Sequence, residues 1–504
     1  MFASATVRSA TARSGPAGSN ESSSAAAAAP TAVRSLGWFG VFRLGLVQTA
    51  LGAIVVLTTS TINRVMVVEL ALPALLPGLL VGLHYAVQLT RPRMGHGSDR
   101  GGRRTPWIVG GMAVLAVGGA LAAVATALAA SLPAAGIALA VLAFVMVGLG
   151  VGCAGTSLLV LLATSVTPRY RGAAATTVWV MMIVGFIVTA IVAGAQLDPF
   201  SLERLVVVTA TVSLVAFTVA CLAVYGVERR VSGGAGRNVV VGVETAADER
   251  AVDGQADRGA NGEPVNDKTD PDGFREALRS VWAEPEARRF SVFVFVSMLA
   301  YSAQDLILEP FAGAVFGMTP GQSTQLSGAQ HGGVLLGMLA VALATVALRG
   351  RRLGSLRFWT VAGCLGSAAM LLALAGGGLV GERFPLRGAV FALGVANGSF
   401  AVAAIGSMMD LVGRGGRRRE GVRMGLWGAA QAIAFGAGGV LATSAVDASR
   451  LLIGDMALAY GFVFALQALL FVLAARLALG VYRPARPEIA RPLPAGRMIL
   501  ETQA

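Results

Sequence analysis

Gln304, Asp305 and Glu309 stand close together in the segment Ser297–Gly313 (SMLAYSAQDLILEPFAG), which closes an apolar run beginning near Phe290 and contains no Lys or Arg. An ionisable group on a hydrophobic span costs about 2.5–3.5 kcal/mol even on the lenient insertion scale. These carboxylates must therefore face a cavity, a partner or the membrane edge. A matching set, Asn63, Arg64 and Glu69, ends the first apolar block. In a two-half bundle these two helices face each other across a central cavity, and Arg64 is placed to pair with Glu69 or with a carboxylate of the second set. The competing reading puts all of them at the membrane interface, solvated and orienting the helices. Glu309, followed by Pro310 and an expected loop, fits that reading best. Asp305, one turn deeper, is the stronger candidate for a buried functional group.

Histidine supplies a second kind of chemistry. His84 and His331 are two of only three histidines, and both fall inside apolar blocks. A neutral imidazole is a good axial ligand for a porphyrin-type magnesium. His84 shares a helical face with Gln88, while Gln330 and His331 adjoin Gly328, Gly332, Gly333 and Gly337, a surface bare enough for a flat ring or another helix. Ordinary small-residue packing around a hydrogen-bonded histidine is the alternative. His96 lies in a loop and is given no ligand role. The chain has no P-loop, no H-E-x-x-H and no nucleophile–histidine–acid set. Cys153, Cys221 and Cys364 have a spacing that fits no metal, haem or disulfide framework. No catalytic residue and no direct metal site are expected, and the chain is not read as an enzyme.

The elements that must hold these groups follow from composition. Of 504 residues, 55% are hydrophobic and 13% charged, against about 25% charged in a soluble domain. The apolar residues come in blocks of about twenty, long enough to cross a hydrocarbon core of about 30 Å as helix. They lack the short alternating pattern of a β-barrel. The expected fold is an all-α polytopic membrane protein. Twelve spans are predicted near 43–62, 74–90, 107–128, 136–158, 173–195, 205–225, 290–308, 329–348, 358–376, 387–409, 424–445 and 456–479.

The longest gap, from Glu228 to about Asp272, is rich in Gly, Asp, Glu, Arg and Asn and reads as a flexible linker. It divides the chain into a disordered tail (1–38), a six-helix half (39–226), a linker (227–289) with a short amphipathic helix near 274–282, a second six-helix half (290–481) and a terminal tail (482–504). The formal charge of +13 is nearly all arginine in short loops, so it indicates membrane orientation rather than nucleic acid. Sixteen arginines follow spans 2, 4, 8 and 10, against five on the opposite side, which predicts both termini and the linker in the cytoplasm.

The halves echo each other. Each has a first span ending in an acid and a proline (Glu69 with Pro73, Glu309 with Pro310), a histidine in the second span, and a basic loop after it. Parallel repeats of this kind are the plan of the major facilitator superfamily. The loop Gly95–Arg104 (GHGSDRGGRR) resembles that superfamily's G-x-x-x-D-R-x-G-R-R turn. It is read as a cytoplasmic latch in which Gly95 permits a tight turn, Asp99 accepts from helix N-terminal amides, and Arg100, Arg103 and Arg104 pair across the bundle. Gly97 departs from the usual apolar residue. The counterpart at Gly350–Arg357 has lost the Asp.

Longer strings carry a narrower resemblance. They are Thr61–Pro73 (TINRVMVVELALP), Arg91–Asp99 (RPRMGHGSD), Arg103–Trp107 (RRTPW), Ser297–Gly313 and Thr324–Gly333 (TQLSGAQHGG). Together they resemble the PucC/LhaA bacteriochlorophyll-delivery family over about 39–482, the linker excepted. The resemblance implies a role in assembling light-harvesting complexes, with bacteriochlorophyll as cargo. It also implies antenna polypeptides and pigment-synthesis enzymes as partners, membrane lipids as surroundings, and a bacterial inner or intracytoplasmic photosynthetic membrane as location. The alternative is a proton-coupled secondary transporter with Asp305 or Glu309 as the coupling acid. A scaffold that binds no pigment is a third reading.

Overall fold

The computed structural model describes residues 36–91, 94, 103–228, 279, 282–348, 350–414 and 420–481. The two tails, nearly all of the linker with most of 274–282, and Gly95, Asp99 and Arg100 of the expected latch lie outside the described residues. Among the described residues twelve helices occupy the twelve expected positions, labelled here in chain order. The first half has α1 Trp38–Glu69, α2 Leu75–Thr90, α3 Thr105–Ala129, α4 Pro133–Ser165, α5 Arg171–Leu197 and α6 Leu202–Val224. The second has α7 Pro285–Phe316, α8 Pro320–Ala347, α9 Leu356–Val380, α10 Leu386–Arg414, α11 Glu420–Ile453 and α12 Met456–Val481.

Eleven of the twelve are long and apolar enough to cross a membrane, which makes this a multi-pass membrane protein. The exception is α2. Its sixteen residues rise only about 24 Å, because Pro73 and the left-handed Ala71 end the preceding turn close by. Asp447 of α11 supplies its N-terminal cap from the other half, accepting from the amides of Ala74 (3.0 Å) and Leu75 (2.7 Å).

α7 differs from expectation in a way that matters. It runs through Pro310 to Phe316 instead of ending before the proline. A proline inside a helix leaves the carbonyl four residues earlier without its amide. That carbonyl belongs to Leu306, and Asn63 of α1 donates to it at 2.6 Å. The helix therefore continues because the facing helix satisfies the acceptor that proline frees. α1 is itself irregular, with π-helical turns at Leu57–Thr61 and Val65–Glu69 on either side of Arg64.

Each half packs around its own apolar core. The first contains Leu44, Ile54, Leu115 and Leu158, and the second Phe293, Phe311, Phe400, Phe464 and Phe471. A further cluster joins Ile62, Val65 and Leu80 to Leu306 of the other half. The side where α1 begins and α6 ends is held by Arg43, which donates to the carbonyls of Leu222 (3.1 Å) and Tyr225 (2.6 Å). It is called the linker side below, and the opposite one the far side.

α8 and α10 pack without intervening side chains, and a Cβ at Gly337 would run into the carbonyl of Val395. Gly337→Ala is expected to cost about 1–3 kcal/mol and to lower the melting temperature in detergent. Gly376→Ala, with nothing within 4 Å of the added carbon, should leave it unchanged.

Candidate functional site

The two halves meet most closely at the far side. Arg64, fully buried, donates through Nη1 to Glu69 Oε1 (2.5 Å) and through Nη2 to the carbonyl of Met318 (2.5 Å). Gly313 leaves room for the guanidinium, which a Cβ there would approach to 2.9 Å. Thr61 and Thr324 hydroxyls are 2.9 Å apart, and Thr319 donates to Asp198 at 3.0 Å. Of the partners expected for Arg64, the structure selects Glu69 and adds a backbone carbonyl.

Glu309 separates the two readings of the sequence. It is not a solvated interfacial acid but is 1% exposed, and neither carboxylate oxygen has a hydrogen-bond partner. Ser60, Ser327 and Arg64 are the polar groups around it. Its burial follows from the continuation of α7 through Pro310, which keeps this turn between the halves. Asp305, one turn toward the linker side, is the more accessible of the two. Gln304 is fully buried, with both amide atoms unpartnered.

On the linker side of the seal, Asp305, Tyr85, Tyr301 and His331 are each partly exposed along the boundary between the halves. Asp305 accepts from Gln330 Nε2 at 3.4 Å. Tyr85 of α2 and Tyr301 of α7 lie on the same side of the seal, both partly exposed. Both tyrosine rings pack against Phe435 of α11, with centroids 5.5 and 5.9 Å away. Sequence reasoning missed Tyr85 and Tyr301. The available signal was two of only six tyrosines placed inside apolar spans, each bringing a hydroxyl that needs a polar partner.

The two histidines part company here. Arg91 donates to Gln88 Oε1, which fixes the Gln88 amide, so its Nε2 donates to His84 Nε2 at 2.8 Å. That leaves the proton on His84 Nδ1, and the buried ring offers no free lone pair. The expectation of a ligand at His84 is therefore not met by this geometry. His331 donates from Nδ1 to the carbonyl of Ser327 at 2.9 Å, and its ring lies edge-on to Phe186 with centroids 4.8 Å apart. A backbone acceptor on Nδ1 fixes the tautomer that leaves Nε2 with its lone pair, the usual arrangement behind a metal-ligating imidazole. His331 is half-buried, at the boundary between α5 and α8.

At the linker side, Arg103 and Arg104 lead into α3. The acid that caps this helix among the described residues is Glu228, just after α6. It accepts from the amides of Arg104 (2.7 Å) and Thr105 (3.0 Å). Arg104 also donates to Thr164 at 2.7 Å, which ties the turn to α4. No sequence signal singled out Glu228, because its partners lie more than a hundred residues away.

This arrangement is that of a major facilitator-type transporter fold. The chain superposes on a crystal structure of peptide transporter POT in complex with sulfate (TM-score 0.59, 14% identity, 89% of this chain and 97% of that one). It also matches the nucleoside transporter NupG (TM-score 0.57, 11% identity, 88% and 100%). At such identities the likeness is one of fold alone. The chain belongs to the PUCC protein family, whose family model matches residues 61–485. It is 52% identical over 448 residues to the "Bacteriochlorophyll synthase 44.5 kDa chain" of Rhodobacter capsulatus, covering 89% of this chain and 96% of that one. It is 27% identical to "Protein PucC" of the same organism, covering 86% and 90%.

Burial works against ionisation of Glu228, but the two amide donors and the Arg104 charge outweigh it and hold the carboxyl below its usual range. A depressed acid stabilises the fold above its unfolded value and loses that contribution as pH falls through its folded value. Glu228→Gln should therefore lower the melting temperature at pH 7, by an amount at the low end of a helix cap, about 0.5 kcal/mol, because the group is partly solvated. The difference from wild type should persist down to about pH 4.3, the ordinary glutamate value, and shrink below it. A pH series of thermal melts checks both points.

Proposed function

We propose that this protein is a non-enzymatic assembly factor of the bacterial photosynthetic membrane. It holds bacteriochlorophyll in the cleft between its halves and passes it to light-harvesting antenna polypeptides. The observation that carries this reading is His331, whose ring is oriented by Ser327 so that Nε2 can take the open axial position of a magnesium macrocycle. Tyr85, Tyr301 and Gln330 are placed in the same cleft to meet polar substituents on the ring. Family membership and the names of the relatives point to the same cargo. The transporter fold, with its polar groups at the boundary between halves, supports carrying rather than catalysis. The linker side is read as cytoplasmic, since Arg103, Arg104, Arg169, Arg171, Arg351, Arg352 and Arg357 lie there. On this reading the membrane is the inner or intracytoplasmic one, and the partners are antenna polypeptides and pigment-synthesis enzymes.

Protein purified in mild detergent from a pigment-making host should carry near-infrared absorbance at close to one pigment per chain. His331→Leu should lose or shift that band, while His84→Leu should leave its position unchanged. A wild-type preparation without pigment would sink the reading, and an unaltered band in His331→Leu would sink the ligand assignment.

Glu309 favours a second reading, proton-coupled transport of a small molecule. A carboxyl enclosed beside the Arg64 seal, with the Ser60 and Ser327 hydroxyls as its neighbours, is a group whose proton can be linked to opening of the far side. Under that reading Glu309→Gln should abolish pH-driven uptake of a solute while pigment retention stays intact. Uptake that survives the substitution would remove it.

A further inference from the structure

His331 stands at the inner end of the boundary between α5 and α8. Toward the far side these helices are in contact: Gly321 and Gln325 lie against Gly194, Gly328 lies against Ala190, and His331 meets Phe186. An α-helix repeats its face at whole turns of 3.6 residues. Leu339 and Val346, eleven and eighteen residues beyond Gly328, therefore carry forward the row of α8 that α5 covers at Gly328. If the helices stayed together, both would be buried, yet Leu339 is 48% and Val346 79% exposed. α5 repeats the pattern. Trp179, eleven residues before Ala190 on the same row, is 44% exposed. Between these limits Ile183 is still covered and Leu335 half-covered. The two helices touch at and above the Phe186–His331 level, and below it Trp179, Leu339 and Val346 are left uncovered by the facing helix.

The opening lies within membrane-spanning segments, so it faces the lipid leaflet on the linker side. Its walls are apolar, and Trp179 offers a flat ring for stacking.

We propose that the α5–α8 seam is a lateral doorway, through which a flat metal-centred macrocycle dissolved in the linker-side leaflet passes sideways to His331. This inference rests on the pigment reading and adds the route. A macrocycle with a long hydrocarbon tail would lose about 0.8 kcal/mol for every CH₂ drawn out of lipid into water. A sideways path lets the ring enter the cleft while the tail remains in the bilayer, and Trp179, Leu339 and Val346 form the sill it crosses.

The test uses the full chain with Trp179→Cys and Leu339→Cys, bridged or not by a bismaleimide, and mixed with phosphatidylcholine vesicles containing bacteriochlorophyll. The unbridged variant is its own folding control. A second variant, Asp198→Cys with Thr319→Cys, bridges the same helices at the far side, where they already touch. Uptake, read as the near-infrared shift of the bound pigment, should fall at least tenfold when the seam is bridged and stay at the unbridged level when the far side is bridged. Loading at an unchanged rate through a bridged seam would overturn the doorway while leaving the pigment reading intact. Failure of the unbridged protein to load would overturn both.

Discussion

A guanidinium buried in a membrane protein needs partners for its charge and its donors, and Arg64 finds them on both sides of the molecule. Glu69, on its own helix, balances the charge, and the carbonyl of Met318, at the turn between α7 and α8, takes a second donor. Among the described residues, these bonds draw the halves together at the far side. The Thr61–Thr324 and Thr319–Asp198 bonds and the Asp447 cap on α2 lie at that same end. On the linker side of these bonds Asp305, Tyr85, Tyr301 and His331 are partly exposed rather than sealed in a closed core.

The same seal explains why an acid as costly as Glu309 is tolerated. Extending α7 through Pro310 carries Glu309 into the boundary, and Asn63 makes that extension possible by satisfying Leu306. Asn63, Arg64, Glu309 and Pro310 thus act as one unit, with each half providing what the other lacks. The repeated acid and proline in the two halves are not equivalent in structure. Pro73 follows the end of α1, whereas Pro310 lies within α7.

The large features were legible in the sequence because they depend on local composition. Apolar block length placed all twelve helices, and arginine bias marked the linker side. The failures have a common physical origin, which is that they depend on contacts between residues far apart in the chain. The fate of Pro310 depends on Asn63, the cap of α3 on Glu228, and the short α2 on Asp447. The histidines show this most clearly. His84 and His331 look alike as lone imidazoles in apolar spans. They differ because Arg91 and Gln88 occupy the ring nitrogen of one, while a backbone carbonyl on Nδ1 leaves Nε2 free on the other. Tyr85 and Tyr301 went unread because a tyrosine in a span is ordinary until both rings are seen to meet on Phe435 of α11.

His331 is the group proposed to hold cargo between the halves. An electron-cryomicroscopy map of the protein purified from a pigment-making host tests this most directly. It should show a planar density between α5 and α8, edged by Trp179 and centred on His331 Nε2. A cleft filled only by lipid, with pigment density elsewhere on the surface, would contradict it.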